Sequence, residues 1–375
     1  MNLILSVAIA VTGLTSLFLV LRYGSLTLQG SVPVPVVTFL AILFTSGLDV
    51  GLIMFPLVDF QIFVAEPRYA FTNPLALEFG FWGFLVWGFY FLTTFYFCVL
   101  EPRLALFEIP LVKWVNNLTV IGTCAFTGYL LLRYLPDYIA GITEPVRFGL
   151  VALVILAAVL SSTQLRYVKA LSLGSSALFF LLIVAAFFLA GMGLTGLAES
   201  GKALGDYFLK LHRFVLPLDD YHAFYLFWWF AWSIMIGQFV ARFVGGLSVR
   251  QLLLALLVVP SLPIALWFAV LYGYFNQGVV IPVALNWAMI GVGVLFVVNS
   301  LDSLTRLYTQ NIGLTVERLG TLRYVLLHWT ILFVLVLSFQ FTPFEIEWVG
   351  LVVIGLYATV YILAFIRRRK IRLPV

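Results

Sequence analysis

The chain has 375 residues, of which 63% are hydrophobic and only 10% charged, with a formal net charge of +5. A soluble domain carries about a quarter charged residues, so this composition excludes a water-soluble protein and predicts an all-α polytopic membrane protein. The positive balance follows from membrane topology, and no nucleic-acid partner is expected.

Apolar windows near the ~20 residues that cross a bilayer fall at 3–21, 35–60, 78–100, 114–134, 147–163, 172–191, 222–243, 252–274, 281–305, 322–341 and 347–366. They predict about eleven transmembrane helices and no soluble domain. The opening MNLIL has no basic stretch before its apolar run, so a cleaved signal is not expected. An odd number of spans puts the termini on opposite faces. With the C-terminal RRRKIR in the cytoplasm, most of the 21 basic residues fall on the inner side and the N-terminus lies outside. Most acids then fall outside, Glu78 among them.

In the second span, Gly47 and Gly51 bracket Leu48, Asp49 and Val50, and Pro56 follows. Two readings are open. Glycines beside a polar residue at mid-depth suit an unwound helix that faces an ion or substrate, whereas Gly47-x-x-x-Gly51 also suits a packing notch. Asp49 favours the first, because an ionisable group at that depth is costly. Asp59, nearer the outer end, is expected to be solvated. The gap at 192–220 carries Tyr207, Phe208, Leu211 and Phe214 at helical spacing among charges, which predicts a surface helix.

Residues 224–242, FYLFWWFAWSIMIGQFVAR, place Trp228, Trp229 and Trp232 in mid-span. Tryptophan in a span ordinarily sits near the headgroups. Three within five positions suit either a cage for a cation or a bulky packing surface. Cys98 and Cys124 both fall in spans and read as small apolar residues. His212, His222 and His328 have no zinc spacing, and no nucleophile–base pair or phosphate loop stands out, so an enzyme is not expected. Asp302 and Arg306 are four residues apart on one helix face and read as a structural pair.

The stretch FYLFWWFAWSIMIGQFVARFVGGLSVRQ, residues 224–251, resembles the hallmark segment of the betaine/choline/carnitine transporter family. Trp228, Trp229, Trp232, Ser233, Gly237, Phe239, Ala241, Arg242, Gly246 and Arg250 match it in register. Further similarity lies in ALLVVPSLPIALWF (255–268), in Trp82, Gly83, Trp87 and Tyr90, in FVVNSLDS (296–303) and in Arg22–Gly24. The resemblance implies a LeuT-type core of two inverted five-helix repeats over 35–366, with residues 1–22 as an extra span and the family's first span absent. It implies substrate binding by an aromatic box of Trp82, Trp87, Tyr90 and Trp229 beside Gly47, Asp49 and Gly51. On a continuous helix, Trp82 and Tyr90 are a little over two turns apart and share a face. Phe224, Trp228 and Trp232 would line the cytoplasmic route. Ion-site candidates are the backbone of Thr45, Leu48 and Phe296 and the side chains of Asn299 and Ser300.

Departures accompany these matches. Asp49 stands where sodium/betaine members have a glycine, Asn299 replaces a threonine, and loop positions Gly245 and Leu247 have lost basic residues. The leading expectation is a secondary transporter of a choline- or betaine-like osmolyte in the plasma or inner membrane. It needs no cofactor, and Asp49 points either to proton coupling or to selection of a plain cation such as choline, rather than to sodium coupling. The alternative is a non-transporting binder or subunit of a larger membrane complex. The resemblance also implies a homotrimer.

Overall fold

The computed structural model describes residues 1–47 and 50–370. Among them, ten helices are long and apolar enough to cross a membrane. The difference from the expected eleven lies in the second span, which is divided into shorter helices: α2 (Val36–Ser46), α3 (Val50–Met54) and α4 (Pro56–Ala65), following α1 (Asn2–Tyr23). Leu48 and Asp49 lie outside the described residues. Pro56 occupies the first turn of α4, where its missing N–H costs nothing.

The third span is also interrupted, which the continuous-helix reading did not foresee. Helix α5 (Pro74–Trp82) starts from Asn73, whose side chain accepts the Ala76 N–H at 3.0 Å. It stops at Gly83, Phe84 takes a left-handed φ of 44°, and α6 (Trp87–Phe95) begins afresh. The Phe84 amide freed by this turn donates to Ser261 Oγ at 2.8 Å, so the break leaves that N–H satisfied.

Helices α7 (Pro110–Tyr138), α8 (Glu144–Ser162) and α9 (Leu165–Leu189) complete a first set of five crossings. The predicted surface helix is present as α10 (Leu194–Leu209), packed across α5 and the later span 261–277, with Tyr207 and Phe214 buried and Phe208 exposed. A second set follows: α11 (Asp220–Val240), α12 with α13 (Val249–Leu257 and Ser261–Gln277), α14 (Val283–Ile312), α15 (Thr321–Phe341) and α16 (Ile346–Ile366). Five crossings per set reverse the direction of the second relative to the first, as inverted five-helix repeats require.

Two helices hold the sets together. Nearly all of α11 is buried, and it packs on α6 and α16. Helix α14 packs on α7, α8, α9 and the divided second span. At one end, strand β1 (Thr27–Gln29) pairs antiparallel with β2 (Gly245–Ser248). Gly246 adopts φ +72° in that strand, and a Cβ on Gly24 would stand 2.4 Å from Arg250 Nε. Arg22–Gly24, Gly246 and Arg250, all singled out in the sequence, therefore belong to one junction.

Candidate functional site

The interruption after Trp82 builds the site. Trp82 closes one helix and Trp87 opens the next, so their convergence does not come from a shared face of one helix, as the spacing implied. The turn folds the second residue back toward the first: Trp87 Nε1–H donates to the Trp82 carbonyl at 3.2 Å. The Trp87 ring meets Tyr90 edge to face with centroids 5.2 Å apart. From α11, Trp229 Nε1–H donates to the Phe81 carbonyl at 2.8 Å. That bond sets the Trp229 indole edge-on to Trp82 at 5.5 Å and 6.3 Å from Tyr90. Trp228 also packs on Trp82, at 5.4 Å. All five rings are buried.

The divided helix abuts this cluster. The Tyr90 hydroxyl donates to the Gly47 carbonyl at 3.4 Å. A Cβ on Gly47 would stand 3.1 Å from the Trp87 ring, and one on Gly51 would stand 2.5 Å from Trp82. Glycine at both positions thus lets backbone reach the indoles. Trp82, Trp87, Tyr90, Trp229, Gly47 and Gly51 are brought together, and Asp49 falls outside the described residues. A cation held by such rings sits within about 6 Å of each centroid. Rings already in contact must part slightly to admit one.

The remaining named residues are placed as follows. Phe224 lies about one turn into α11, and Phe126 of α7 packs on both Phe224 and Trp228, at 6.2 and 6.0 Å. Trp232 is buried, and its indole N–H has no hydrogen-bond partner among the described residues. Among the ion-site candidates, Ser300 Oγ reaches the Thr45 carbonyl at 3.5 Å, and the Phe296 ring packs on Phe44 at 5.8 Å. Asn299 turns elsewhere: its amide donates to Ser175 Oγ at 2.7 Å, and its carbonyl faces Ser172 Oγ at 3.4 Å. Leu48 lies outside the described residues.

Three acids differ from their sequence reading. Asp59 is buried rather than solvated, accepting from Tyr221 at 3.0 Å and Tyr225 at 3.1 Å. Glu78 is fully buried beside it rather than facing outward. The hydropathy window opened at 78, whereas the Asn73–Pro74 start signal places this residue one turn inside α5. Asp302 is held by Ser161 of α8 at 2.5 Å and by Ser303 at 3.1 Å, while Arg306 donates to the Ser162 carbonyl at 3.1 Å. Its hydrogen-bonding partners are these serines rather than Arg306. Outside the spans, Tyr69 donates to Asp219 at 2.6 Å, and burial together with that carboxylate raises the phenol above its ordinary pKa.

Residues 118–278, which include the hallmark helix, match the family model of betaine/carnitine/choline family transporters. Over that stretch the chain is similar to the betaine/carnitine/choline transporter family. A transporter of Mycobacterium tuberculosis named as uncharacterized is 24% identical over 302 residues, 66% of this chain and 50% of that one. The glycine betaine transporter of Acinetobacter baylyi is 23% identical over 287 residues, 64% of this chain and 43% of that one. The chain spans about half the length of the curated relatives it matches. A solved Na+-coupled sialic acid symporter is similar at 16% identity and a TM-score of 0.47, over 95% of this chain and 82% of that one.

Proposed function

We propose that this chain is a member of that family and a secondary transporter of a small quaternary-ammonium or similar onium osmolyte, working by alternating access. The observation that carries the reading is the meeting of Trp82 of α5, Trp87 and Tyr90 of α6, and Trp229 of α11 in the opposite set, against Gly47 and Gly51. Each well-placed indole contributes about 0.5–2 kcal/mol to a bound onium cation. Rings from both repeats would lose their mutual contact when the repeats rock, which ties binding to access. On the ion side, Asp49 stands in sequence between the two glycines, and we assign it proton rather than sodium coupling. We assign the N-terminus to the outside and the C-terminus to the cytoplasm, a reading supported by the distribution of basic residues.

Uptake of choline and glycine betaine into proteoliposomes, under imposed proton or sodium gradients, tests this. Accumulation of either that is lost in Trp229→Ala is expected. No uptake of any onium compound by a well-folded preparation would overturn it. Asp49→Asn with ion dependence unchanged would remove Asp49 from the coupling.

The second reading is a non-transporting binder. Asn299 favours it, since its side chain is engaged by Ser172 and Ser175. Ligand-induced quenching of tryptophan fluorescence without flux would be its signature.

A further inference from the structure

Beside the aromatic box lies a second group of buried polar atoms that the box does not use. Asp59 of α4 and Glu78 of α5 are buried next to each other. Each Asp59 oxygen accepts one phenol, Oδ1 from Tyr221 and Oδ2 from Tyr225, the arrangement of an ionised carboxylate. Among the described residues, neither Glu78 oxygen closes a hydrogen bond of ordinary geometry, although both are enclosed. What Glu78 faces is the Asp59 carboxylate and the Trp82 indole edge, whose N–H closes no hydrogen bond of ordinary geometry.

Around the pair stand Tyr221 and Tyr225 of α11, Tyr134 and Tyr138 of α7, and Tyr69 of the turn before α5. His222 is turned away, its Nδ1 accepting the Leu218 N–H at 3.1 Å. Among the described residues, no Lys or Arg forms an ion pair with either acid.

Two carboxylates in contact, without a cation and in apolar surroundings, cannot both be ionised. The missing partner is one positive charge. A hard cation such as Ca2+ needs six or more oxygen ligands, and among the described residues no group of three or more His, Cys, Asp or Glu could hold a metal ion. A proton needs a single lone pair. Carried on Glu78 and donated to Asp59, it satisfies an enclosed acid that nothing else satisfies.

We infer that Asp59 and Glu78 form one proton-binding site that competes with the cation held by the neighbouring box. The link is geometric, since Glu78 precedes Trp82 by one turn on α5 and the two side chains adjoin. With the proton present, the pair carries one negative charge; without it, two. A cation in the box favours the second state, so its binding expels the proton and tightens as pH rises. The inference rests on the transporter reading for the identity of the competing cation, and on the pair alone for the proton.

The test uses the full chain in nanodiscs with tetramethylammonium as probe, read by tryptophan fluorescence across roughly pH 5 to 9. In wild type the dissociation constant is expected to fall with pH, by at most about tenfold per unit for one competing proton. Glu78→Gln, whose amide donates to Asp59 permanently, is expected to bind with a pH-independent constant, as is Asp59→Asn. Infrared difference spectra of wild type should show a protonated-carboxyl band that disappears with pH and is lost in Glu78→Gln.

A wild-type constant unchanged with pH, or a pH dependence retained in both variants, would overturn the inference. So would competition by Na+ at fixed pH that Glu78→Gln abolishes, which would make the site a metal-cation site. Failure of tetramethylammonium to bind at any pH would instead strike the transporter reading. The infrared band would then still decide whether the pair holds a proton.

Discussion

Among the described residues, two buried carboxylate sites lie in this bundle, and they are built on opposite logic. Asp302, where α14 meets α8, has one serine hydroxyl for each oxygen, from Ser161 and Ser303, and Ser303 in turn pairs with Ser46 at 2.9 Å. Its charge is met by protein groups, and it links α14 to α8 and to the end of α2. Asp59 and Glu78 share a pocket with hydroxyls enough for one of them only. A site whose polar groups are all satisfied holds helices in register. One that is short of a positive charge waits for something mobile.

The largest effect that would sharpen this contrast is expected for Asp302→Ala. Loss of an acceptor bonded by two hydroxyls should cost about 3 kcal/mol, read as a lower thermal midpoint in size-exclusion stability assays. Glu78→Gln should leave the midpoint unchanged or raised. If the two variants lost equal stability, the contrast would fail.

Next comes Gly51→Ala. Its Cβ would meet Trp82 at 2.5 Å, so overpacking of about 1–3 kcal/mol is expected, together with a roughly tenfold weaker onium affinity as Trp82 is displaced. Wild-type affinity in a stable Gly51→Ala protein would show that the divided helix does not shape the box.

The smallest test compares two hydroxyl deletions. Ser161→Ala and Tyr225→Phe each remove one donor from a buried carboxylate and should cost about 1–2 kcal/mol apiece. Only Tyr225→Phe should change onium affinity, by a few-fold. A change of that size in Ser161→Ala would mean that Asp302 also communicates with the box.

Much of this architecture was legible in the residues. Long apolar windows fixed the helical class, and Gly47, Gly51 and Pro56 announced where the second span divides. The rings named for the box do come together, but for another reason than the spacing gave: Trp82 and Trp87 stand on two helices, not one. Gly83 signalled that break, but the left-handed Phe84 is stabilised by Ser261, 177 residues away, and pairings of that range leave no local pattern. The same holds for Asp302, whose partner Ser161 comes from another helix. The near neighbour Arg306, visible at four-residue spacing, drew the wrong pairing. Glu78 is different. Its burial could have been read from Asn73 and Pro74, which set the helix start earlier than hydropathy does.

The short ladder between Thr27–Gln29 and Gly245–Ser248 fastens the leading helix to the loop that follows the tryptophan-bearing helix. Gly30 N–H donates to the Val244 carbonyl at 2.8 Å and Val32 N–H to the Arg242 carbonyl at 2.7 Å, extending the seam. Helix α1 is therefore harnessed to the hallmark helix by main-chain bonds, although it adds nothing to the pocket. A tilt of that helix would carry α1 through the lipid with it, so under the proposed transport cycle the thickness and stiffness of the surrounding bilayer would bear on the motion.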